Sequence, residues 1–266
     1  MKSLSSKIPY KRTMSHSRHI KRIFLLLAML WLVLPIKAIT SKDANKCYRK
    51  GNYQQAIIDY KKLLTHGVSA ELYYNLGNAY YRSDSLSQAI LSYERALQLS
   101  PGNENIRFNL EFSRSKTIDK IVPESEMFYV TWYKSIRNLM SVDHWAYMGL
   151  SFIGLVMFFM LIYLFAPSSG LRKLGFFCGT SLFLFFTIST LFAYQQKVAI
   201  ENNKGAIIMV PSVNVKKAPV FNGGDSFVLH EGTRVDITDD EIKGWKGIHV
   251  ADGRSGWIQA NKLEKI

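Results

Sequence analysis

Cysteine is scarce in this 266-residue chain: only Cys47 and Cys178 occur. Two thiols cannot build a disulfide framework, and both read as buried packing residues rather than reactive groups. Histidine is thin and scattered. His16 and His19 fall in a basic leader, while His66, His144, His230 and His249 stand singly. Zinc needs several converging ligands, so no metal site is legible. Gly223-Gly224 is too short to cradle a phosphate. Asp239, Asp240 and Glu241 are adjacent and read as a solvated turn, not as an acid/base pair. Cys47 has no histidine near it in sequence to activate it. The expectation is a non-enzymatic protein with no catalytic, cofactor-binding or metal-binding residues.

Acid is missing from residues 1–38, which carry eight Lys or Arg side chains; the rest has 26 basic against 20 acidic groups. The net charge of +14 is therefore largely a targeting feature, not a nucleic-acid surface. The basic stretch precedes an apolar run of 12 residues, Ile23 to Leu34. That is short for a span and suits the core of a secretory signal. Ala38 and Thr40 are the candidate residues before a cleavage point, and Met14 is an alternative start. Residues 1–40 thus read as a signal peptide or a short anchor.

Charge is absent altogether from two further runs of 21 residues, 145–165 and 174–194. Each is long enough for the roughly 30 Å hydrocarbon core at about 1.5 Å per residue. Trp145, Tyr147, Tyr163 and Tyr194 lie near their ends, where aromatic rings favour the interface. The short segment 166–173 between them demands a hairpin, and its Arg172 and Lys173 favour the cytoplasmic side. Spans without ionisable groups read as an anchor rather than as a pump or channel. Before them, 117–144 is a juxtamembrane segment in which Phe128, Trp132, Ile136, Leu139 and Met140 recur near helical spacing. Two readings fit: a helix in the headgroup region or a short helix packed on the preceding domain.

Residues 73–101 have a defined pattern: Tyr73-x2-Leu76-Gly77-x2-Tyr80, Ala89-x3-Tyr93-x2-Ala96, then Pro101. This is the spacing of a tetratricopeptide repeat. Gly51-Asn52-Tyr53-x2-Ala56-x3-Tyr60 echoes it 33 residues earlier, behind a short first helix, 43–50. A closing helix from Glu104 to about Ser115 is capped by Asn103, with Ile106, Leu110 and Phe108 or Phe112 facing inward. The repeat unit spans 42–116. Two full repeats are marginal alone, since each buries its face on a neighbour.

After a linker, 195–204, residues 205–266 alternate β-branched and polar positions between Gly-rich turns. Five short strands and an Asp252-Gly253 hairpin predict a small closed barrel. Leu229-His230-Glu231-Gly232-Thr233, the Trp245 strand and Gly256-Trp257 resemble a bacterial SH3-like domain. The fold class is thus a multi-domain membrane protein: helical repeats, a two-helix transmembrane hairpin and a small all-β barrel. That order resembles the BatE-like branch of the Bacteroides aerotolerance family. The resemblance implies a non-enzymatic inner-membrane adaptor with periplasmic repeats and SH3-like domain. It also implies von Willebrand A-type Bat membrane proteins and a MoxR-type ATPase system as partners, in tolerance of oxygen or envelope stress.

Candidate binding residues follow from the repetition. Asn45, Tyr48 and Arg49 recur as Asn78, Tyr81 and Arg82, with Tyr74 on the same helix face. Arginine forks hold carboxylates and asparagine bonds peptide backbone, so this face is either a peptide clamp or a solvated helix surface. In the β module, Trp245, Trp257 and Phe221 border a candidate groove for a peptide or for peptidoglycan. One tryptophan should fill the barrel core.

Overall fold

The computed structural model describes residues 41–122 and 124–266. The expected signal segment lies outside them. Five helices come first: α1 Ser41–Arg49, α2 Tyr53–Leu64, α3 Ala70–Arg82, α4 Leu86–Leu99 and α5 Glu104–Arg114. Local chemistry sets their limits. The side chains of Asn52, Ser69 and Asn103 accept backbone N–H groups in the first turns of α2, α3 and α5. The turns inside the two helix pairs use a left-handed residue at equivalent positions, Gly51 at φ +78° and Asp84 at φ +56°.

The stripe expected from spacing forms the core from Leu76 onward, while its first member, Tyr73, is half-buried at the edge. Leu76, Ala79, Tyr80, Ala89, Tyr93 and Ala96 are buried, together with Ala44, Ala56 and Tyr60 of the first pair. A Cβ on Gly77 would stand 2.6 Å from the Tyr93 ring, so the small residue is what admits the tyrosine. Ile106 and Leu110 of α5 face inward as expected. Phe108 and Phe112 do not: they are 67% and 43% exposed and stack on each other at the surface.

Helix α6, Phe128–Arg137, leads to α7, Val142–Phe165, and α8, Ser169–Glu201. The latter two are long and apolar enough to cross a membrane. They form the expected antiparallel hairpin, but α8 runs through both ends of its apolar segment. Ser168 caps it by accepting the Leu171 N–H, which leaves only 166–168 as the connection. Polar bonds join the helices at the other end. Ser189 Oγ donates to the Trp145 carbonyl at 2.6 Å, and Gln196 Nε2 to the Met140 carbonyl at 3.1 Å. Near the connection, a Cβ on Gly175 would lie 2.8 Å from the Phe159 oxygen and from the Tyr163 nitrogen. Backbone cannot yield as a side chain can. Gly175→Leu is therefore expected to weaken the hairpin by about 1–3 kcal/mol, read as a lower unfolding midpoint of the full chain in detergent.

Seven strands follow: β1 Gly205–Ile208, β2 Ser212–Lys216, β3 Asp225–His230, β4 Arg234–Asp239, β5 Trp245–Val250, β6 Ser255–Gln259 and β7 Leu263–Lys265. They make one antiparallel sheet in the order β3-β2-β6-β5-β4-β1-β7. The expected count of five missed two short strands; β7, three residues after a 3-10 turn, is too brief to show a period. The β5–β6 hairpin turns at Gly253, φ +90°, as the Asp-Gly pair foretold. The sheet's core is aliphatic, with Ile208, Val215, Leu229, Val235, Ile248, Val250 and Ile258. Trp245 is buried, yet it stands outside that cluster. Its cross-strand partner is Gln259, and Gly247 opposite Trp257 shares that face, while Ile248 and Ile258 alternate to the other. The Phe221 ring covers it at 5.5 Å.

The repeats and the sheet are one packed body. Strand β1 is buried at every position. Ala206 and Ile208 enter the sheet core, whereas Ile207 enters the helical core. Helix α4 is buried on nearly all sides as a result, including Ile90, Leu91 and the carboxylate of Glu94. Glu94 binds Arg114 of α5 and, at 3.6 Å, Arg234 of β4. Arg95 donates to Glu264 at 3.0 Å and to the Lys265 carbonyl at 2.6 Å.

Candidate functional site

The pocketed face of the repeats is built mostly from the first helix of each pair. Its asparagines serve the fold before they serve a ligand. The Tyr60 hydroxyl donates to Asn45 Oδ1, and the Tyr93 hydroxyl donates to Asn78 Oδ1 at 2.7 Å. The two bonds are the same bond repeated 33 residues apart. Asn109 Nδ2 of α5 also donates to Asn78 Oδ1, at 2.9 Å, and to the Tyr74 hydroxyl at 3.2 Å. Each amide thus has its oxygen committed, and its N–H groups remain as the end suited to a peptide carbonyl. Burial pushes the Tyr60 phenol up to about 12 and raises that of Tyr93 as well, so both stay protonated donors.

Asn45, Tyr48, Arg49 and Asn78 line one pocket of about 270 Å³ with Tyr60, Glu71 and Asn75. Arg49 and Glu71 are exposed and bring opposite charges to it. Three amides and two charges suit an extended, polar segment of chain rather than an apolar small molecule.

The other predicted residues stand apart. Arg82 turns onto Tyr53: its Nε donates to the phenol oxygen at 3.2 Å, and the guanidinium lies 5.4 Å from the ring centroid. That hydrogen bond raises the Arg82 pKa further. Tyr48 also meets Tyr53, edge to ring with centroids 5.4 Å apart. Tyr81 meets Phe112 at 5.8 Å, with Lys116 Nζ 5.1 Å from the Phe112 ring. Arg49 and Arg82 therefore do not converge on one carboxylate. Glu71, Asn75 and Asn109 escaped the sequence reading because they lie outside the repeated Asn…Tyr-Arg positions. Phe108 and Phe112 lie across the helix from Ile106 and Leu110, so spacing places them outward; expecting one of them inside followed their apolar character rather than their period.

In the sheet, Trp245 borders a second pocket of about 310 Å³ with Ser212, Asn214, Lys216, Gln259 and Lys262 among its walls. Phe221 joins Trp245 by ring contact. Trp257 is half-buried and does not line this pocket. Among the described residues no three His, Cys, Asp or Glu side chains gather closely enough to hold a metal ion.

A third cavity, of about 480 Å³, opens where α5, the following linker and the sheet meet. At its wall Asp119 joins linker to sheet. Its carboxylate accepts the His230 backbone N–H at 2.7 Å, His230 Nδ1 at 2.8 Å and the Thr233 hydroxyl at 2.6 Å. Burial acts to raise the Asp119 carboxyl, but the Thr233 hydroxyl and the two His230 donors outweigh it and hold the group below the usual carboxylate range.

Residues 70–103 match the family model of the tetratricopeptide repeat. The chain carries such a repeat. The match covers α3, α4 and the cap of α5, the part with the complete small-residue and tyrosine pattern. The α1–α2 pair lies outside it yet repeats its Tyr–Asn bond. No curated protein matches the chain. Repeats of this kind generally mediate protein interactions, and the groove's amides and charges are suited to that role.

Proposed function

We propose that this chain is a membrane-anchored adaptor without catalytic activity. It binds a protein segment in the α1–α3 groove and holds it near the bilayer through the α7–α8 hairpin. The observation that carries this reading is the polar pocket of Asn45, Arg49, Glu71 and Asn78, set on a tetratricopeptide scaffold. The seven-stranded sheet is read as an SH3-like barrel, on the strength of the Leu229 to Thr233, Asp252-Gly253 and Gly256-Trp257 segments. Packing of β1 against α4 supports placing repeats and sheet on the same side of the membrane, since one packed body cannot straddle a bilayer. With Arg172 and Lys173 on the cytoplasmic side, that body is periplasmic. By resemblance to the BatE-like proteins, the partners are von Willebrand A-type membrane proteins and, through them, a MoxR-type ATPase, in an aerotolerance or envelope-stress role. The Trp245 pocket supports a second, peptidoglycan-directed contact.

The test is crosslinking in native membranes followed by identification of the von Willebrand A-type partner. Arg49→Ala combined with Glu71→Ala is expected to reduce its capture about tenfold, the loss of one or two charge-assisted bonds. Undiminished capture would remove the groove from the interaction.

A further inference from the structure

Helix α6 carries an aromatic face that the protein itself leaves uncovered. Phe128, Tyr129, Trp132 and Tyr133 fall on one side with Ile136, and Lys134 falls on the opposite side. Phe128 is 85% and Trp132 66% exposed, and Met127 and Leu139 extend the apolar surface at either end. No residue of α6 is buried. A helix with this much uncovered aromatic surface needs an occupant.

Its attachment indicates which one. Tyr133 packs on Phe192 of α8 at 5.8 Å, and its hydroxyl donates to Gln195 Oε1. Trp145 Nε1, near the start of α7, donates to the Arg137 carbonyl at 2.9 Å. Every one of these contacts sits where the uncharged runs end, at Trp145 on one helix and Tyr194 on the other. The same helix ends are apolar outward, with Tyr147 and Tyr194 exposed. The aromatic face of α6 therefore continues the lipid-facing surface of the hairpin at the depth of the bilayer boundary. Lys134 pairs with Glu126 at 2.5 Å on the polar side, as an in-plane helix requires.

We infer that α6 binds the lipid surface itself, with Phe128 and Trp132 in the headgroup–acyl boundary. This rests on the hairpin spanning the membrane. A second link carries the position to the repeats: a Cβ on Gly102, in the turn after α4, would lie 2.2 Å from the Leu139 carbonyl oxygen. The repeat unit abuts the turn that follows α6, so lipid contact by α6 seats the repeats at a set height over the bilayer.

The experiment uses the full chain with Cys47→Ser and Cys178→Ser, reconstituted in phosphatidylethanolamine–phosphatidylglycerol vesicles with brominated acyl chains. Single cysteines, Trp132→Cys, Lys134→Cys or Leu184→Cys, carry an environment-sensitive fluorophore. For burial about 5–10 Å into the boundary, the label at 132 should be quenched about threefold more than that at 134. The label at 184 should be quenched strongly. Strong quenching at 184 with equal, weak quenching at 132 and 134 would overturn the lipid contact and leave the hairpin intact. Weak quenching at 184 would overturn the spanning hairpin, and the lipid contact with it.

Discussion

Tyr93→Ala is expected to destabilise the protein by about 3–5 kcal/mol, the range for removing a buried aromatic ring. Tyr93 is 2% exposed. Its ring fills the space that Gly77 leaves and tilts against Tyr74 at 6.1 Å. Its hydroxyl fixes Asn78, which also receives Asn109. One side chain therefore ties α3, α4 and α5. Against a typical total of about 5–15 kcal/mol, its loss should lower the thermal midpoint of the full chain in detergent sharply, read by far-ultraviolet circular dichroism. Tyr93→Phe keeps the ring and should cost only about 1 kcal/mol for the lost hydrogen bond. Equal effects of the two variants would mean that packing is not what holds this position.

Asp119→Ala should have the next largest effect, about 3 kcal/mol. Hydrogen bonds to a charged group contribute about 1.5–3 kcal/mol each, and three donors lose their acceptor, though His230 can partly rehydrate. The variant also has a pH signature. The folded carboxyl titrates below its unfolded value of about 3.9, so the folded state binds the proton more weakly. The stabilisation is fully present above about pH 4 and is lost as pH falls through the lower, folded pKa. Urea unfolding across that window should show an acid-side decline in the parent that is shallower in Asp119→Ala. Identical acid profiles would exclude Asp119 from the junction's stability.

Much of the helical unit was legible, because helical periodicity is a repulsion rule as well as an attraction rule. Gly77, Ala89 and Ala96 are small where axes approach, and Tyr93 is large where Gly77 makes room. The hairpin was legible from two runs without charge. The docking of sheet on repeats was not. Its signals are Ile90 and Leu91, apolar residues beside the stripe, and Glu94, a carboxylate on a helix that reads as surface. Each is ordinary in isolation; partners distant in the chain, Ile207 and Arg234, give them their place at the junction. The groove was half legible. Repetition drew attention to Asn45 and Asn78, which line the pocket, but not to the bonds that commit their oxygens to Tyr60 and Tyr93. Nor can spacing show that Arg82 turns aside onto Tyr53.

Helix α8 passes out of its apolar stretch at Tyr194 and continues unbroken to Glu201, and β1 begins only a few residues later, at Gly205. Three intervening residues give almost no slack. Because β1 is wedged into both cores, the end of the hairpin is tied directly to the packed repeats and sheet. The hairpin and the groove are thereby joined through a packed strand, and a flexible Gly-Ser insert after Glu201 would uncouple the two.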